Sequence, residues 1–252
     1  MRGRRGGAGL ALAHGAGGSV AANYTPILEG LADSRLLVGV DYPGAGGTPL
    51  QEAPLTLDQL AGELVAAAVD EGLERFPVLG YSLGAPVAMR AAALYPERVT
   101  GLVLTAPFAR PNTRLRLIGT LWRELHMRGA DHDLATLLLP QALGSTTLEA
   151  LSDAEVATAI EETARTIPPG TSDHVDLVTR VDIGDDLPRL GVPTLVISTT
   201  EDLLVTEDLH REVAEAVPGA ELARLATGHL PFTEAPGAWC ELVGDFLERQ
   251  GL

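Results

Sequence analysis

The chain has 252 residues, 46% of them hydrophobic, which suffices for one large domain with room for an inserted subdomain. Its formal net charge of −16 argues against nucleic acid or an anionic membrane as a partner and leaves a small-molecule substrate as the expectation. All 18 basic residues are arginine, which excludes lysine Schiff-base chemistry, and the lone Cys240 excludes an intrachain disulfide or a cysteine-cluster zinc site.

The start, Met1-Arg2-Gly3-Arg4-Arg5 followed by Ala8 to Ala13, mimics a short signal peptide. The apolar run is too short for an h-region and leads directly into a glycine-rich motif, so it reads as a first strand and the protein as cytoplasmic. No apolar run reaches the roughly 18 residues needed to span a bilayer. The strand ends in His14-Gly15-Ala16-Gly17-Gly18-Ser19. This turn lacks the Gly-Lys-Ser/Thr ending of a P-loop and the full dinucleotide spacing. Its N–H groups, unhindered by side chains, suit an oxyanion loop.

Tyr24, Ile27, Leu28 and Leu31 follow at helical spacing, and Leu36 to Val40 reads as a second strand. It ends in Asp41-Tyr42-Pro43-Gly44-Ala45-Gly46-Gly47-Thr48-Pro49, too rich in Gly and Pro for regular structure. Thr56-Leu57-Asp58-Gln59 is a capping-box pattern opening a helix to about Glu71, with Leu57, Leu60, Leu64 and Ala68 inward. A third strand then runs into Gly80-Tyr81-Ser82-Leu83-Gly84 and an alanine-rich helix from Pro86 to Leu94. A strand turning sharply into a helix brings the two backbones close, which Gly80 and Gly84 permit, and pushes the hydroxyl of Ser82 outward as a nucleophile elbow.

Val99 to Leu104 is the fourth strand. Between Pro107 and Pro193 no strand is expected. Leu115, Ile118, Trp122 and Leu125 share one helical face, Leu134, Leu137 and Leu138 form a second apolar cluster, and Ser152-Asp153-Ala154-Glu155 caps a helix with Val156, Ala159 and Ile160 inward, ended by Pro168-Pro169-Gly170. An insertion with its own helices is a subdomain rather than a loop, and after a strand's C-terminal end it would sit above the ligand-binding edge. Val192 to Ile197 is the fifth strand and Glu221 to Leu225 the sixth; a final helix runs from about Pro236 to Glu248, with Cys240 as a small core residue.

Strands alternating with helices predict an α/β fold: a mostly parallel sheet of about six strands flanked by helices, with residues 1–106 and 190–252 as the core and 107–189 as a helical cap. Serine needs an imidazole to take its proton, and the imidazole needs a carboxylate to set its tautomer. Asp202, after the fifth strand, and His229, after the sixth, supply these in the order Ser, Asp, His; Glu201 is the rival acid, longer and less well spaced.

These motifs carry a resemblance. His14-Gly15, Asp41-Tyr42-Pro43-Gly44-Ala45-Gly46, Gly80-Tyr81-Ser82-Leu83-Gly84, Asp202 with Val205, and Gly228-His229 make the chain similar to the α/β-hydrolase superfamily, in its esterase and lipase-like branch with a helical cap. The resemblance implies Ser82, Asp202 and His229 as nucleophile, acid and base, and the backbone N–H groups of Ala16 and Leu83 as oxyanion donors. His14, Gly15, Gly17, Tyr81, Trp122, Met127 and Leu230 are the candidate substrate contacts. The chain departs from the family in the short run before the His-Gly strand, which leaves a sheet edge to be covered or paired, and in Thr199 and Ala85, where glycine is usual.

A serine at the elbow implies acyl transfer to water: hydrolysis of a small to medium, partly hydrophobic ester, thioester or lactone, with no cofactor. An acyltransferase or cyclase with the same triad, and a non-catalytic receptor of the same fold, are the alternatives. His126, Asp131, His132, Asp133 and His174 match no zinc spacing and read as a solvated cap surface, so no metal is expected.

Overall fold

The structure is a computed structural model that describes residues 2–3 and 8–252. The chain runs β1 (Arg2–Gly3), β2 (Ala8–Ala13), α1 (Val20–Leu31), β3 (Arg35–Gly39), α2 (Leu57–Asp70), β4 (Phe76–Tyr81), α3 (Gly84–Leu94) and β5 (Val99–Thr105). Five helices follow without a strand: α4 (Thr113–Met127), α5 (Asp131–Ala142), α6 (Ser145–Ala150), α7 (Asp153–Thr166) and α8 (Thr171–Arg180). The chain then re-enters the sheet as β6 (Thr194–Thr199), α9 (Glu207–Ala216), β7 (Glu221–Leu225), α10 (Pro231–Glu234) and α11 (Pro236–Arg249).

The strands form one sheet in the order β1-β3-β2-β4-β5-β6-β7. The six expected strands all pair in parallel. The seventh, β1, lies antiparallel on β3, with Arg2 opposite Leu37 and Gly3 opposite Leu36. The sequence reading left this edge open; two residues carry no readable periodicity, so only the pairing reveals the strand.

Both faces of the sheet are covered, and the two-residue period of the strands sorts the core. Leu10, Leu12, Leu79, Val103 and Ile197 face α1 and α11, packing on Tyr24, Ile27, Trp239 and Phe246. Ala11, Ala13, Val78, Leu102 and Val196 face the other way, onto Leu60 and Leu64 of α2 and Val87 and Met89 of α3. Two buried polar tips of the α1–α11 face find partners: Tyr24 Oη donates to the carbonyls of Ala13 and Leu79 at 2.7 and 3.1 Å, and Trp239 Nε1 donates to Thr105 Oγ1 at 3.0 Å. Cys240 is half-buried against this layer.

Helix starts follow their caps. Ser152 and Glu155 form the full reciprocal box at α7. At α2 only half of the expected box forms: Thr56 Oγ1 accepts from Gln59 N–H at 3.1 Å, but the Gln59 side chain turns away to Gln51 and Glu63. In α7 Val156, Ala159 and Ile160 are half-buried rather than buried, because the helix packs mainly on α5 at the outer edge of the insertion.

The strand order reverses between β2 and β4, since β3 lies to one side of β2 and everything after β3 to the other. At such a switch point the loops leaving the two strands diverge and open a crevice at the carboxyl edge. The His14–Ser19 turn and Ser82 flank that crevice. Among the described residues no helix is long and apolar enough to cross a membrane.

Candidate active site

Ser82 sits between β4 and α3 with φ 51°, in the left-handed region that a non-glycine residue adopts only under constraint. Two hydrogen bonds supply the constraint: Ser82 N–H donates to Thr105 O at 3.0 Å, and Ala85 N–H donates to Ser82 O at 2.9 Å. A Cβ on Gly80 would run into the Gly84 carbonyl, and one on Gly84 into the Ala13 carbonyl. The corner therefore closes only with glycine at both places. The helix begins at Gly84, so its first turn and positive dipole end lie against Ser82.

His229 lies in the loop between β7 and α10. Its Nε2 is 3.0 Å from Ser82 Oγ, and its Nδ1 is 2.6 Å from Asp202 Oδ2. A carboxylate oxygen accepts, so Nδ1 carries the proton and Nε2 presents its lone pair to the serine hydroxyl. The carboxylate of Asp202 is fully buried and has four donors: His229 Nδ1 and Thr199 Oγ1 on Oδ2, at 2.6 and 3.0 Å, and the N–H groups of Leu204 and Val205 on Oδ1, both at 2.9 Å. These donors make an ionised carboxylate tolerable away from water. Asp202, not Glu201, reaches the imidazole. Tyr81 backs His229, with ring centroids 5.1 Å apart and its hydroxyl donating to His229 O at 2.8 Å. Burial pushes the phenol well above its ordinary pKa, which keeps it a neutral donor.

Behind Asp202 is a second imidazole. His210, on α9, is completely buried, with Nδ1 3.1 Å from Ser198 Oγ and Nε2 4.0 Å from Asp202 Oδ2, beyond hydrogen-bond reach. Burial lowers its pKa to about 4 despite the nearby carboxylate, so the ring is neutral at pH 7.

The loop after β2 is held by its own His14 and by side chains from two helices, α1 and α8. His14 is buried and stacked on Tyr42 with centroids 3.8 Å apart. Its Nδ1 donates to Gly15 O at 2.8 Å and its Nε2 accepts from Tyr42 N–H at 2.9 Å. Desolvation holds its pKa down to about 4. Asn23 Oδ1 accepts from Gly15 N–H at 2.9 Å, and His174 Nδ1 accepts from Gly17 N–H at 3.2 Å. The N–H groups of Ala16 and Leu83 donate to no acceptor among the described residues.

A cavity of about 240 Å³ opens over Ser82 and His229. Phe108, Leu115, Trp122, Leu138, Leu204 and Leu230 supply much of its apolar wall, the first four of them from the insertion. Of the anticipated contacts, Ala16, Gly17, Tyr81, Trp122 and Leu230 line it. His14 and Gly15 do not: His14 is spent on the loop's own hydrogen bonds, and Gly15 backs onto Tyr81. Met127 does not either. It closes the last turn of α4 on the solvent side, 65% exposed, while Leu115 and Trp122 turn inward.

The acidic and histidine residues of the insertion do not act as one surface. His126 pairs with Asp131 at 3.1 Å and His132 lies 3.5 Å from Glu161, but His174 is buried beneath the β2 loop rather than solvated. Among the described residues no three His, Cys, Asp or Glu side chains converge as a metal site.

Sequence reasoning missed Asn23, Thr199, His174, His210 and Glu234. Glu234 joins the insertion to the His229 loop, accepting from Gly144 N–H (3.0 Å), Thr147 Oγ1 (2.9 Å) and Gly228 N–H (3.0 Å). His229 N–H itself donates to Ala142 O at 2.6 Å. His174 and Glu234 meet partners more than eighty positions away, where no local pattern links them; Asn23 and His210 lie closer to theirs but share no motif with them, and Thr199, three residues before Asp202, was legible only as a departure from glycine.

A profile of the alpha/beta hydrolase fold matches residues 10–236. A pyrrolizixenacetamide deacetylase of Xenorhabdus hominickii is 30% identical over 243 residues, covering 96% of this chain and 91% of the deacetylase. Among solved structures, an alpha/beta hydrolase enzyme from a Medee basin deep-sea metagenome library superposes with a TM-score of 0.88 at 22% identity, covering 97% of this chain and 90% of that one. The enol-lactonase of Burkholderia xenovorans does so with a TM-score of 0.86 at 24% identity, covering 98% and 94%.

Proposed function

Because the chain belongs to the α/β-hydrolase fold family and is a hydrolase of ester-type bonds, we propose that it works through an acyl-serine intermediate, with Ser82 as nucleophile, His229 as general base and Asp202 as the acid that orients it. The observation carrying this reading is the unbroken relay of 3.0 Å from Ser82 Oγ to His229 Nε2 and 2.6 Å from His229 Nδ1 to Asp202 Oδ2.

Ser82 Oγ attacks the acyl carbonyl as its proton passes to His229 Nε2, and the imidazolium that forms is stabilised by Asp202. The carbonyl oxygen becomes an oxyanion facing the N–H groups of Ala16 and Leu83, which have no acceptor among the described residues to give up. His229 returns the proton to the leaving oxygen. Water, deprotonated by the same imidazole, then cleaves the acyl-serine and restores the hydroxyl.

Residues 107–189 act as a cap that roofs this site. The cavity's size and apolar wall fit a small to medium, uncharged acyl or lactone group. Among the described residues its walls carry no arginine or carboxylate to hold a charged one. A second reading, cleavage of a small acyl group from an amide, is favoured by the likeness to a deacetylase.

Turnover of p-nitrophenyl acetate, butyrate and octanoate by wild type and Ser82→Ala tests the proposal. Wild type is expected to favour the shorter chains and Ser82→Ala to lose roughly 10⁴–10⁶ in kcat. Equal rates in the two proteins would remove Ser82 as the nucleophile.

A further inference from the structure

Three consecutive N–H groups in the loop after β2 have different fates. That of Gly15 is bound to Asn23, that of Gly17 is bound to His174, and that of Ala16 between them is unclaimed among the described residues. Peptide planes are rigid, so tying both neighbours restricts the directions open to the Ala16 N–H. Asn23 comes from α1, close by in sequence. His174 comes from α8, 157 positions away, inside the insertion.

We propose that His174 is a positioning residue for the oxyanion hole: its imidazole is braced on Pro43 O, accepts the Gly17 N–H, and so sets the direction of the free Ala16 N–H. The inference rests on the reading of Ser82 as nucleophile and Ala16 as oxyanion donor.

The two bonds specify one form of the ring. Nε2 lies 3.0 Å from Pro43 O, which can only accept, so Nε2 carries the proton. Nδ1 then offers its lone pair to Gly17 N–H. A doubly protonated ring would set two donors against each other at Gly17. Burial of the ring disfavours that form and holds its pKa below the ordinary value; His126 adds to the effect, while Pro43 O and Asp173 oppose it. The other rings facing it are His14, with centroids 6.0 Å apart, and Tyr42, edge-on at 5.8 Å.

The brace is itself anchored. Gly170 N–H, at the start of α8, donates to Gly44 O at 2.9 Å, and the two glycine backbones touch so closely that neither position has room for a Cβ. Arg180, at the other end of α8, donates to Leu55 O. The same 41–49 loop sends Tyr42 N–H to His14. Two neutral imidazoles, His14 of the β2 loop itself and His174 of the insertion, therefore hold it. The insertion roofs the site and also helps to build the hole.

A merely structural His174 would affect stability and leave the kinetic constants in proportion, so the test separates them. Wild type, His174→Asn, His174→Gln and His174→Leu are compared on p-nitrophenyl butyrate, with active sites counted by fluorophosphonate labelling taken to completion and Ser82→Ala as the chemistry control. Asn carries an acceptor oxygen close to the place of Nδ1 and is expected to stay within about threefold of the wild-type kcat. Gln carries its amide one methylene further out, past the place of Nδ1, and Leu has no acceptor; kcat is expected to fall ~10–100-fold with KM nearly unchanged, a fraction of the cost of deleting an oxyanion donor outright. The Ki of a trifluoromethyl ketone, whose hemiketal oxyanion occupies the hole, should rise by the same factor. Gln keeps a donor for Pro43 and decides the matter if Leu does not fold. Wild-type kcat in the Gln variant, a loss that Asn fails to rescue, or a loss confined to KM each overturns the proposal. A dead Ser82→Ala beside a fully active His174→Gln overturns this inference alone. A fully active Ser82→Ala overturns the acyl-serine reading and this inference with it.

Discussion

The proposed nucleophile and its two partner loops are held by contrasting means. Ser82 is fixed by its immediate surroundings: Gly80 and Gly84 where backbones touch, the Ala85 N–H, and the Thr105 carbonyl on the adjacent strand. The β2 loop and the His229 loop are gripped from the insertion, through His174 to Gly17, Ala142 O to His229 N–H, and Glu234 bridging Gly144 and Gly228. The lesson is that strain at a single residue can be stored by a sheet and a helix alone, whereas aiming a flexible glycine-rich turn requires partners from elsewhere in the chain.

The comparison can be broken first at the relay, where Ser82→Ala is the extreme case described above. Asp202→Asn should follow, with kcat/KM lowered about 10⁴-fold, because an amide lets the imidazole take the wrong tautomer. Thermal melting of this variant should show that the fold persists; activity near wild type would transfer the role of acid to Glu201.

Glu234→Ala attacks the grip rather than the chemistry. It deletes three charge-assisted hydrogen bonds, two from the insertion and one from Gly228 in the His229 loop. A loss of ~2–4 kcal/mol in denaturant unfolding is expected, with kcat down roughly tenfold. Unchanged stability would mean that the insertion is held without it.

Acid should loosen the same regions. His14 and His210 are buried with pKa values of about 4, against 6.5 for the free side chain, and His174 shifts in the same direction. The unfolded chain binds protons first, so stability is complete above pH 6.5 and is lost as the pH falls towards 4. Each fully buried ring contributes on the order of 3 kcal/mol to that loss. Melting temperature measured from pH 8 to pH 4 should fall most steeply below 6.5; a flat profile over that range would refute the assignment.

Thr199→Gly is the mildest probe. It restores the residue usual in the family and removes one charge-assisted hydrogen bond from Asp202, of a kind worth about 1.5–3 kcal/mol, while three other donors still hold the carboxylate, so kcat should drop only about fivefold.

The order of elements, the six parallel strands and the positions of Ser82, Asp202 and His229 were all legible in the chain. Each is marked by residues adjacent in sequence: apolar runs of strand length, a Gly-x-Ser-x-Gly corner, a carboxylate and a histidine just past strand ends. Local sterics decide such features, and local sterics leave a pattern. Met127 was misjudged as a pocket residue because an apolar side chain on a helix shows its spacing but not which neighbour will cover it. His174 read as surface for the same reason, since its burial depends on Pro43 and Gly17, far away in the chain. What the amino-acid order determined by itself was therefore the scaffold and the chemistry it offers. Which side chains close the cavity, brace the glycine loop and tie the insertion to the catalytic edge was decided only by the tertiary structure, because those bonds join residues that meet only once the sheet has formed.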